Sequence, residues 1–202
     1  AGATTDAALK KALLQEGKSS GKMPTPKELG ATVKRILAGR EVRATLHALQ
    51  QAGAEAVYVA VDVTDAEALN KALSPLRSRF GAVTAVIHGA GVLADKMIAD
   101  KTTEQFTRVF NTKVIGLQAL LSATSQDTLR QLVLFSSVAG RSGNMGQCDY
   151  AMANEVLNKM ACAYAANHPE CTVRSLGWGP WDGGMVTPGL KAHFEAQGVP
   201  LI

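Results

Sequence analysis

The chain has 202 residues, of which 47% are hydrophobic, 5% aromatic and 19% charged, and it contains 19 glycines. This length fits one ordinary domain, and the small, aromatic-poor composition is typical of α/β proteins in which helices pack closely on a sheet. The net charge is +4, and residues 1–43 carry nine Lys or Arg against four Asp or Glu. No zinc-finger spacing or aromatic residues accompany these cations, which argues against nucleic acid, and no apolar run approaches the ~20 residues that span a bilayer.

The first part of the chain is expected to be helical. Helical patterns cover 7–15, 26–37 and 40–52, and Gly53 is a stop signal for the last of them. A linker-like stretch, "EGKSSGKMPTP" (16–26), separates the first two.

From residue 54 onward, strand and helix patterns alternate. Strands are expected at 54–63, 82–91, 129–137 and 171–180, and helices at 64–80, 102–124 and 146–168. The strands are apolar at consecutive positions, so both of their faces are buried, which requires helices above and below a parallel sheet. The pattern predicts a doubly wound α/β fold.

The residues that follow the strands are small and polar: "DVTD", "HGAGVLAD", "SSVAGRSGNMG" and "GWGPWDGGMV". Ligands of doubly wound sheets bind beyond the carboxyl ends of the strands, and small residues let a flat ligand approach the backbone. Four such segments together indicate an elongated ligand that lies across the strand ends.

Four residues near these ends suit carbonyl reduction. Tyr150 and Asn154 lie one turn apart on a predicted helix, Ser137 ends a strand, and Lys113 lies within the preceding helix. A phenol, with a reference pKa of about 10, gives up its proton more readily beside an ammonium, and a hydroxyl can hold the carbonyl oxygen. Taken singly, each residue also fits an ordinary structural role.

These residues and their neighbours resemble a known family. "LVLFSSVAGRSGNMGQCDYAMAN" and "NTKVIG" resemble the ketoreductase domains of polyketide and polyunsaturated fatty acid synthases, members of the short-chain dehydrogenase/reductase superfamily. In ketoreductase domains, Lys and Asn have exchanged the places they hold in other members, and this chain has the exchanged form. The resemblance implies a Rossmann-like fold and a catalytic set of Lys113, Ser137, Tyr150 and Asn154.

The resemblance also implies the cofactor NADPH. "DVTD" looks like the adenine-contacting turn, "HGAG" resembles the family's His-Ala-Ala-Gly, and "WGPWDGGMV" resembles the segment near the nicotinamide. Residues 1–38 look like the Lys- and Ala-rich insertion of polyunsaturated fatty acid synthase ketoreductases. The resemblance therefore divides the chain into a basic helical insertion or linker region, 1–38, and a partial ketoreductase catalytic domain, 39–202. The cofactor-binding residues implied in this way are Asp62, Val63, Gly89, Ala90, Gly91, Gly179 and Pro180.

One part of the family pattern is missing. The family begins with a strand, a Thr-Gly-Gly-x-Gly-x-x-Gly turn and a helix whose N-terminus binds pyrophosphate, and no such segment occurs here. The missing strands would lie between the strands expected at 54–63 and 82–91. Either they belong to a larger synthase, or another segment fills their place. The fold is therefore predicted to lack its first β-α-β unit.

Stereochemistry is indicated by a short stretch after the second strand. Ketoreductases of the (3R) series resemble one another in a Leu-Asp-Asp stretch, which here reads Leu93, Ala94, Asp95. Those of the opposite series carry a Trp eight residues before the Tyr, where this chain has Ser142. The resemblance implies a stereocontrol role for Asp95 and a (3R)-hydroxyacyl product.

The cysteines favour a reducing compartment. Cys148, Cys162 and Cys171 have an odd count and no metal-ligand spacing, so we expect free thiols, no metal and a cytoplasmic location. The first eleven residues also lack the apolar run of a secretory signal.

The resemblance implies an NADPH-dependent β-ketoacyl reductase within a multidomain, polyunsaturated-fatty-acid-type synthase. Its partners would be the other synthase domains and an acyl carrier protein that carries the substrate on phosphopantetheine. Two alternatives remain: a ketoreductase of a modular polyketide synthase, and a non-catalytic fragment or scaffolding half-domain.

Overall fold

The computed structural model describes residues 2–184, 186, 188–196 and 198–202. The chain forms two compact units, Ala1–Ala60 and Val61–Ile202. Its helices and strands, in chain order, are α1 (Asp6–Ser20), α2 (Pro26–Gln51), α3 (Ala66–Phe80), β1 (Ala85–His88), α4 (Thr103–Ala123), β2 (Gln131–Ser137), α5 (Ala139–Ser142), α6 (Cys148–Asn167), β3 (Thr172–Trp178) and α7 (Pro188–Ala196), with a 3₁₀ turn at Ile98–Asp100.

The first unit is built from α1 and α2, which pack on each other. The hydroxyl of Thr5 caps α1 by accepting the Ala8 N–H at 3.2 Å. A capping box of Thr25 and Glu28 begins α2. The turn between the helices closes so tightly over Gly17 that a Cβ there would lie 2.8 Å from Cδ of Pro24.

Two expectations for this region were wrong. The linker is shorter than expected, because α1 continues to Ser20. The two helices expected at 26–37 and 40–52 form one, because the roughly 1 kcal/mol cost of Gly39 in a helix interior is small against 26 residues of continuous hydrogen bonding. The helix α2 thus runs across position 38–39, and the domain division proposed there stays a prediction.

The strand expected at 54–63 was also wrong. Residues 54–60 form no ladder, and Val57, Tyr58 and Val59 are 44%, 59% and 39% exposed. A strand requires a neighbour to satisfy its N–H and C=O groups, and no strand in the described residues pairs with this segment. The residues have strand propensity without a strand partner.

The second unit confirms a Rossmann-like α/β fold with a parallel sheet. Three parallel strands lie in the order β1-β2-β3, with Val86 opposite Leu132 and Leu132 opposite Val173. The helices expected at 64–80, 102–124 and 146–168 are confirmed as α3, α4 and α6. Within the described part of the chain the sheet has three of the four expected strands, which fits a fold that lacks its first β-α-β unit.

The core lies between the sheet and the helices α4 and α6. Its members are fully or nearly fully buried: Val86, Leu117, Leu129, Leu132, Leu134, Leu157, Ala161 and Cys171. Because α6 packs on both β2 and β3 and also on α4, the residues of α4 and α6 that face the strand ends are held rigidly. None of the described helices is long and apolar enough to cross a membrane.

Candidate active site

The structure brings the predicted catalytic residues to one end of the sheet. Ser137 is the last residue of β2, Lys113 lies in the middle of α4, and Tyr150 and Asn154 lie in the first two turns of α6. These are the three elements around the core, so their relative positions follow from core packing. The roles of the four residues remain predictions.

Lys113 is a buried cation. The residue is 3% exposed, and its Nζ donates to the carbonyl oxygen of Phe135 at 2.9 Å. The same Nζ lies 5.4 Å from the centre of the Tyr150 ring. Burial lowers the pKa of Lys113 from 10.5 to about 8, so the side chain is mainly charged at neutral pH.

Asn154 is buried and supports the helix that carries Tyr150. Its Nδ2 donates to the carbonyl oxygen of Tyr150 at 2.8 Å, and its backbone carbonyl accepts from the Ser136 hydroxyl at 3.2 Å. Its Oδ1 is buried without a hydrogen-bond partner among the described residues. Such an atom is an acceptor available to a donor that enters the site, such as water or a ligand hydroxyl.

Ser137 and Ser136 lie on opposite faces of β2 because side chains alternate along a strand. The hydroxyl of Ser136 points into the core toward α6, and Ser136 is 3% exposed. Ser137 is half-buried, and its Oγ accepts the N–H of Ala139 at 3.2 Å. Its hydroxyl proton therefore remains able to donate to a substrate oxygen.

The predicted adenine turn is closed by hydrogen bonds from Thr64 to Asp62. Oδ1 of Asp62 accepts the N–H of Thr64 at 2.9 Å and its hydroxyl at 2.8 Å, and these hydrogen bonds lower the carboxyl pKa of Asp62. Val63 packs on α4, where its Cγ1 would lie 3.1 Å from a Cβ placed on Gly116. Asp62 is exposed, as a ligand-contacting carboxylate would be.

The glycine segments after β1 and β3 lie at the same end of the sheet. Gly89, Ala90 and Gly91 follow β1, and a Cβ on Gly89 would lie 3.8 Å from the Phe135 ring. That ring belongs to an aromatic cluster with Trp178 and Trp181, at 5.7 and 6.2 Å between ring centres.

The segment after β3 is joined to the last residue of the chain. Gly179 lies beside Ile202, whose N–H donates to the carbonyl of Pro180 at 2.9 Å and whose carbonyl accepts the Asp182 N–H at 3.0 Å. The predicted residues Gly179 and Pro180 are therefore in a defined loop immediately beyond β3.

Asp95 is hydrogen-bonded to the residue that precedes α6. Its Oδ2 accepts from Nε2 of Gln147 at 2.9 Å, and the N–H of Lys96 donates to the carbonyl of Gly146 at 3.0 Å. Residue 147 immediately precedes α6, so the stretch that contains Asp95 sits close to Tyr150. This contact joins the predicted stereocontrol and catalytic residues in one site.

Sequence reasoning missed three buried polar residues around the site. His88 ends β1 and its Nε2 donates to the carbonyl of Lys113 at 2.8 Å; burial lowers its pKa, so the ring is neutral. Lys101 and Asp149 form an ion pair beside Tyr150. The position of His88 at a strand end could have revealed it, but the ion pair joins residues 48 apart and required the tertiary structure.

The residues present fit one end of a nicotinamide dinucleotide. Hydroxyl and ammonium donors at the strand ends, the orphaned Oδ1 of Asn154 and the small residues after β1 suit a nicotinamide riboside. The pyrophosphate end does not fit: α3 and α4 begin at the side-chain caps Asp65 and Thr102, and none of the described strands is followed by a G-x-G-x-x-G turn. The described residues therefore suit the nicotinamide end of such a cofactor and not its pyrophosphate end.

Comparison with known proteins agrees with this geometry. The family model of the KR domain matches residues 25–183. One polyunsaturated fatty acid synthase polypeptide of Thraustochytrium sp. is 41% identical over 208 aligned residues, which cover 100% of this chain and 7% of that protein. Polyketide synthase PksN of Bacillus subtilis is 36% identical over 176 residues, which cover 82% of this chain and 3% of that protein.

Solved structures show the same relationship. A ketoreductase domain from the bacillaene assembly line superposes with a TM-score of 0.69 at 35% identity, covering 79% of this chain and 40% of that one. An N-terminal ketoreductase from the macrolactin assembly line has a TM-score of 0.69 at 29% identity, covering 80% and 32%. The chain therefore belongs to the KR family, the ketoreductase domains of polyketide and polyunsaturated fatty acid synthases.

Proposed function

We propose that the chain carries the reducing site of an NADPH-dependent β-ketoacyl reductase in a polyunsaturated-fatty-acid-type synthase. The substrate is a 3-ketoacyl chain on the phosphopantetheine of an acyl carrier protein, and the product is the (3R)-hydroxyacyl chain. The observation that carries the proposal is the buried ammonium of Lys113, 5.4 Å from the centre of the Tyr150 ring at the strand end that also holds Ser137.

The chemistry follows from these three side chains. Reduced nicotinamide, when bound, supplies a hydride to the β-carbon of the ketone. The Ser137 hydroxyl donates a hydrogen bond to the carbonyl oxygen, and the Tyr150 hydroxyl transfers its proton to that oxygen as negative charge develops there. The product alcohol thus gains a C–H bond from the hydride at the β-carbon and an O–H bond from the proton of Tyr150.

Lys113 stabilises the phenolate that this transfer leaves on Tyr150. Its pKa of about 8 keeps it mainly cationic at neutral pH, and its low exposure means that water screens its charge little. The hydrogen bond from Nζ to Phe135 fixes the position of the charge. Asn154 keeps the first turns of α6 in place through its bond to the Tyr150 carbonyl.

The synthase type is supported by the likeness to the Thraustochytrium synthase, which extends over the whole chain, whereas the likeness to PksN covers 82% of it. A modular polyketide ketoreductase is the second candidate, with the same chemistry on a different acyl chain. A cytoplasmic setting is supported by the three cysteines, which are free thiols.

The test uses the natural protein that contains this chain, with a carrier-bound 3-ketoacyl substrate and NADPH. Tyr150→Phe removes the proton donor and should lower kcat by about a thousandfold while NADPH affinity stays the same. Tyr164→Phe is the matched control, because Tyr164 lies on the same helix and stacks on His168 away from the strand end. A Tyr150→Phe protein with the parent's kcat would falsify the proposal.

A further inference from the structure

Two charged side chains with no part in the proposed chemistry lie buried beside Tyr150. The side chains of Lys101 and Asp149 are 3% and 1% exposed, and Nζ lies 2.7 Å from Oδ2. A buried ion pair of this kind usually adds little stability over two apolar residues, because both charges lose their hydration. Its presence therefore calls for another explanation than stability.

The pair connects two parts of the site. Lys101 also donates to the carbonyl of Ala94 at 2.8 Å, and Oδ1 of Asp149 accepts the N–H of Tyr150 at 2.9 Å. A continuous path of hydrogen bonds thus runs from the backbone beside Asp95, through Lys101 and Asp149, to the backbone of Tyr150.

The path joins the first turn of α6 to an exposed loop. Gln147, at the N-cap of α6, makes no side-chain capping bond, so the carboxylate of Asp149 is the anion in the first turn of the helix. On the other side, residues 95–100 are exposed. That loop is attached to the residues around the start of α6 through the Lys101–Asp149 pair, the Asp95–Gln147 bond and the Lys96–Gly146 bond.

We propose that Lys101 and Asp149 are positioning residues that keep the Tyr150 hydroxyl at a fixed distance from the loop 95–100, which contains Asp95. The pair then determines both the rate of proton transfer and the face of the ketone that is reduced. Directional, fully paired charges suit this task because they permit only one position of the loop relative to α6, whereas apolar side chains permit several. The inference rests on the proposed function.

The decisive variant is the double substitution Lys101→Met with Asp149→Leu in the natural protein, which leaves no buried charge unpaired. We expect its thermal unfolding midpoint to stay near the parent's, its kcat to fall about tenfold or more, and its minor enantiomer to increase. The matched control is Arg77→Met with Asp127→Leu. That ion pair joins α3 to the segment after α4, so kcat and the enantiomer ratio should stay at the parent's values.

Hydrogen–deuterium exchange supplies a readout that does not need turnover. In the double variant, exchange should accelerate together in segments 92–101 and 147–154, and it should not do so in the Arg77/Asp127 control. If the parent performs no ketoreduction, the proposed function fails, and exchange alone decides whether the pair couples the two segments.

A folded double variant with the parent's kcat, enantiomer ratio and exchange rates would overturn the inference. If the double variant does not fold, Asp149→Asn takes its place, because it keeps the side-chain shape and removes the charge. A parent-like kcat and enantiomer ratio in that variant would be equally decisive against the inference.

Discussion

The ammonium of Lys113 donates a hydrogen bond to the carbonyl of Phe135 at 2.9 Å, which places a buried cation two residues before Ser137 on β2. Holding this charge out of water costs roughly 3 kcal/mol, the equivalent of a pKa lowered from 10.5 to about 8. The site therefore sacrifices stability for a fixed charge beside Tyr150.

Lys113→Met should consequently stabilise the fold and abolish reduction. At pH 7 we expect a gain of roughly 2 kcal/mol in the free energy of unfolding, since the lost hydrogen bond offsets part of the relief. Between pH 8 and 10.5 the unfolded parent binds more protons than the folded parent, so the parent gains stability as the pH rises. The difference in the free energy of unfolding between Lys113→Met and the parent therefore shrinks over this range. Urea unfolding at pH 7 and pH 10 measures both effects, and a destabilised variant at pH 7 would contradict the expectation.

The 202-residue chain alone should bind NADPH weakly. It offers donors for the nicotinamide end, but its sequence lacks the strand, G-x-G-x-x-G turn and helix that would hold pyrophosphate. Fluorescence titration of the chain with NADPH measures this, and the natural protein that contains it is the control. Tight binding by the chain alone would show that another segment supplies the cradle.

Asp95→Ala should loosen stereoselectivity more than it lowers the rate. The carboxylate is oriented by Gln147 at 2.9 Å, at the mouth of the site, where it can order the phosphopantetheine arm. Gln147→Ala should have the same effect, and Asp100→Ala, exposed on the same loop, should have none. Chiral chromatography of the product decides the matter. A predominantly (3S) product from the parent would rule out the assignment.

His88 should make the fold sensitive to mild acid. Burial lowers the pKa of His88, so below about pH 6.5 the unfolded chain binds a proton that the folded chain does not bind. The free energy of unfolding therefore falls as the pH decreases. The loss is at most about 1.4 kcal/mol per pH unit. His88→Gln retains a donor for the Lys113 carbonyl and does not titrate. The free energy of unfolding of this variant should therefore rise relative to that of the parent as the pH is lowered from 7 to 5. Equal pH slopes for the two proteins would contradict this, and His47→Gln, exposed on α2, is the control.

Gly140→Ala should damage the site through packing. A Cβ there would lie 3.1 Å from the Glu155 nitrogen and 3.2 Å from Cβ of Asn154, so α5 and α6 would have to separate. We expect a loss of about 1–3 kcal/mol in stability and a lower kcat. Gly30→Ala, with open space around it in α2, should instead gain about 0.5–1 kcal/mol. Thermal unfolding of Gly140→Ala and Gly30→Ala measures the two stability changes. A Gly140→Ala protein with the parent's stability and kcat would show that α5 can move freely.

The sequence alone determined the elements with strong local signals. The helical patterns at 64–80, 102–124 and 146–168 predict α3, α4 and α6 closely, because capping and helical periodicity act within one or two turns, as the caps Asp65 of α3 and Thr102 of α4 show. Strands expected at 82–91, 129–137 and 171–180 were confirmed in shorter form, and the residues at their ends led to the predicted site.

Only the tertiary structure decided what depends on distant partners. Residues 54–60 have the composition of a strand, yet strand formation is a property of a pair, and no described strand pairs with them. The burial of Lys113 and the ion pair of Lys101 with Asp149 likewise arise because α4, α6 and the loop after β1 meet around one core. Local sequence carries capping and periodicity, whereas desolvation and long-range pairing exist only once those elements are packed.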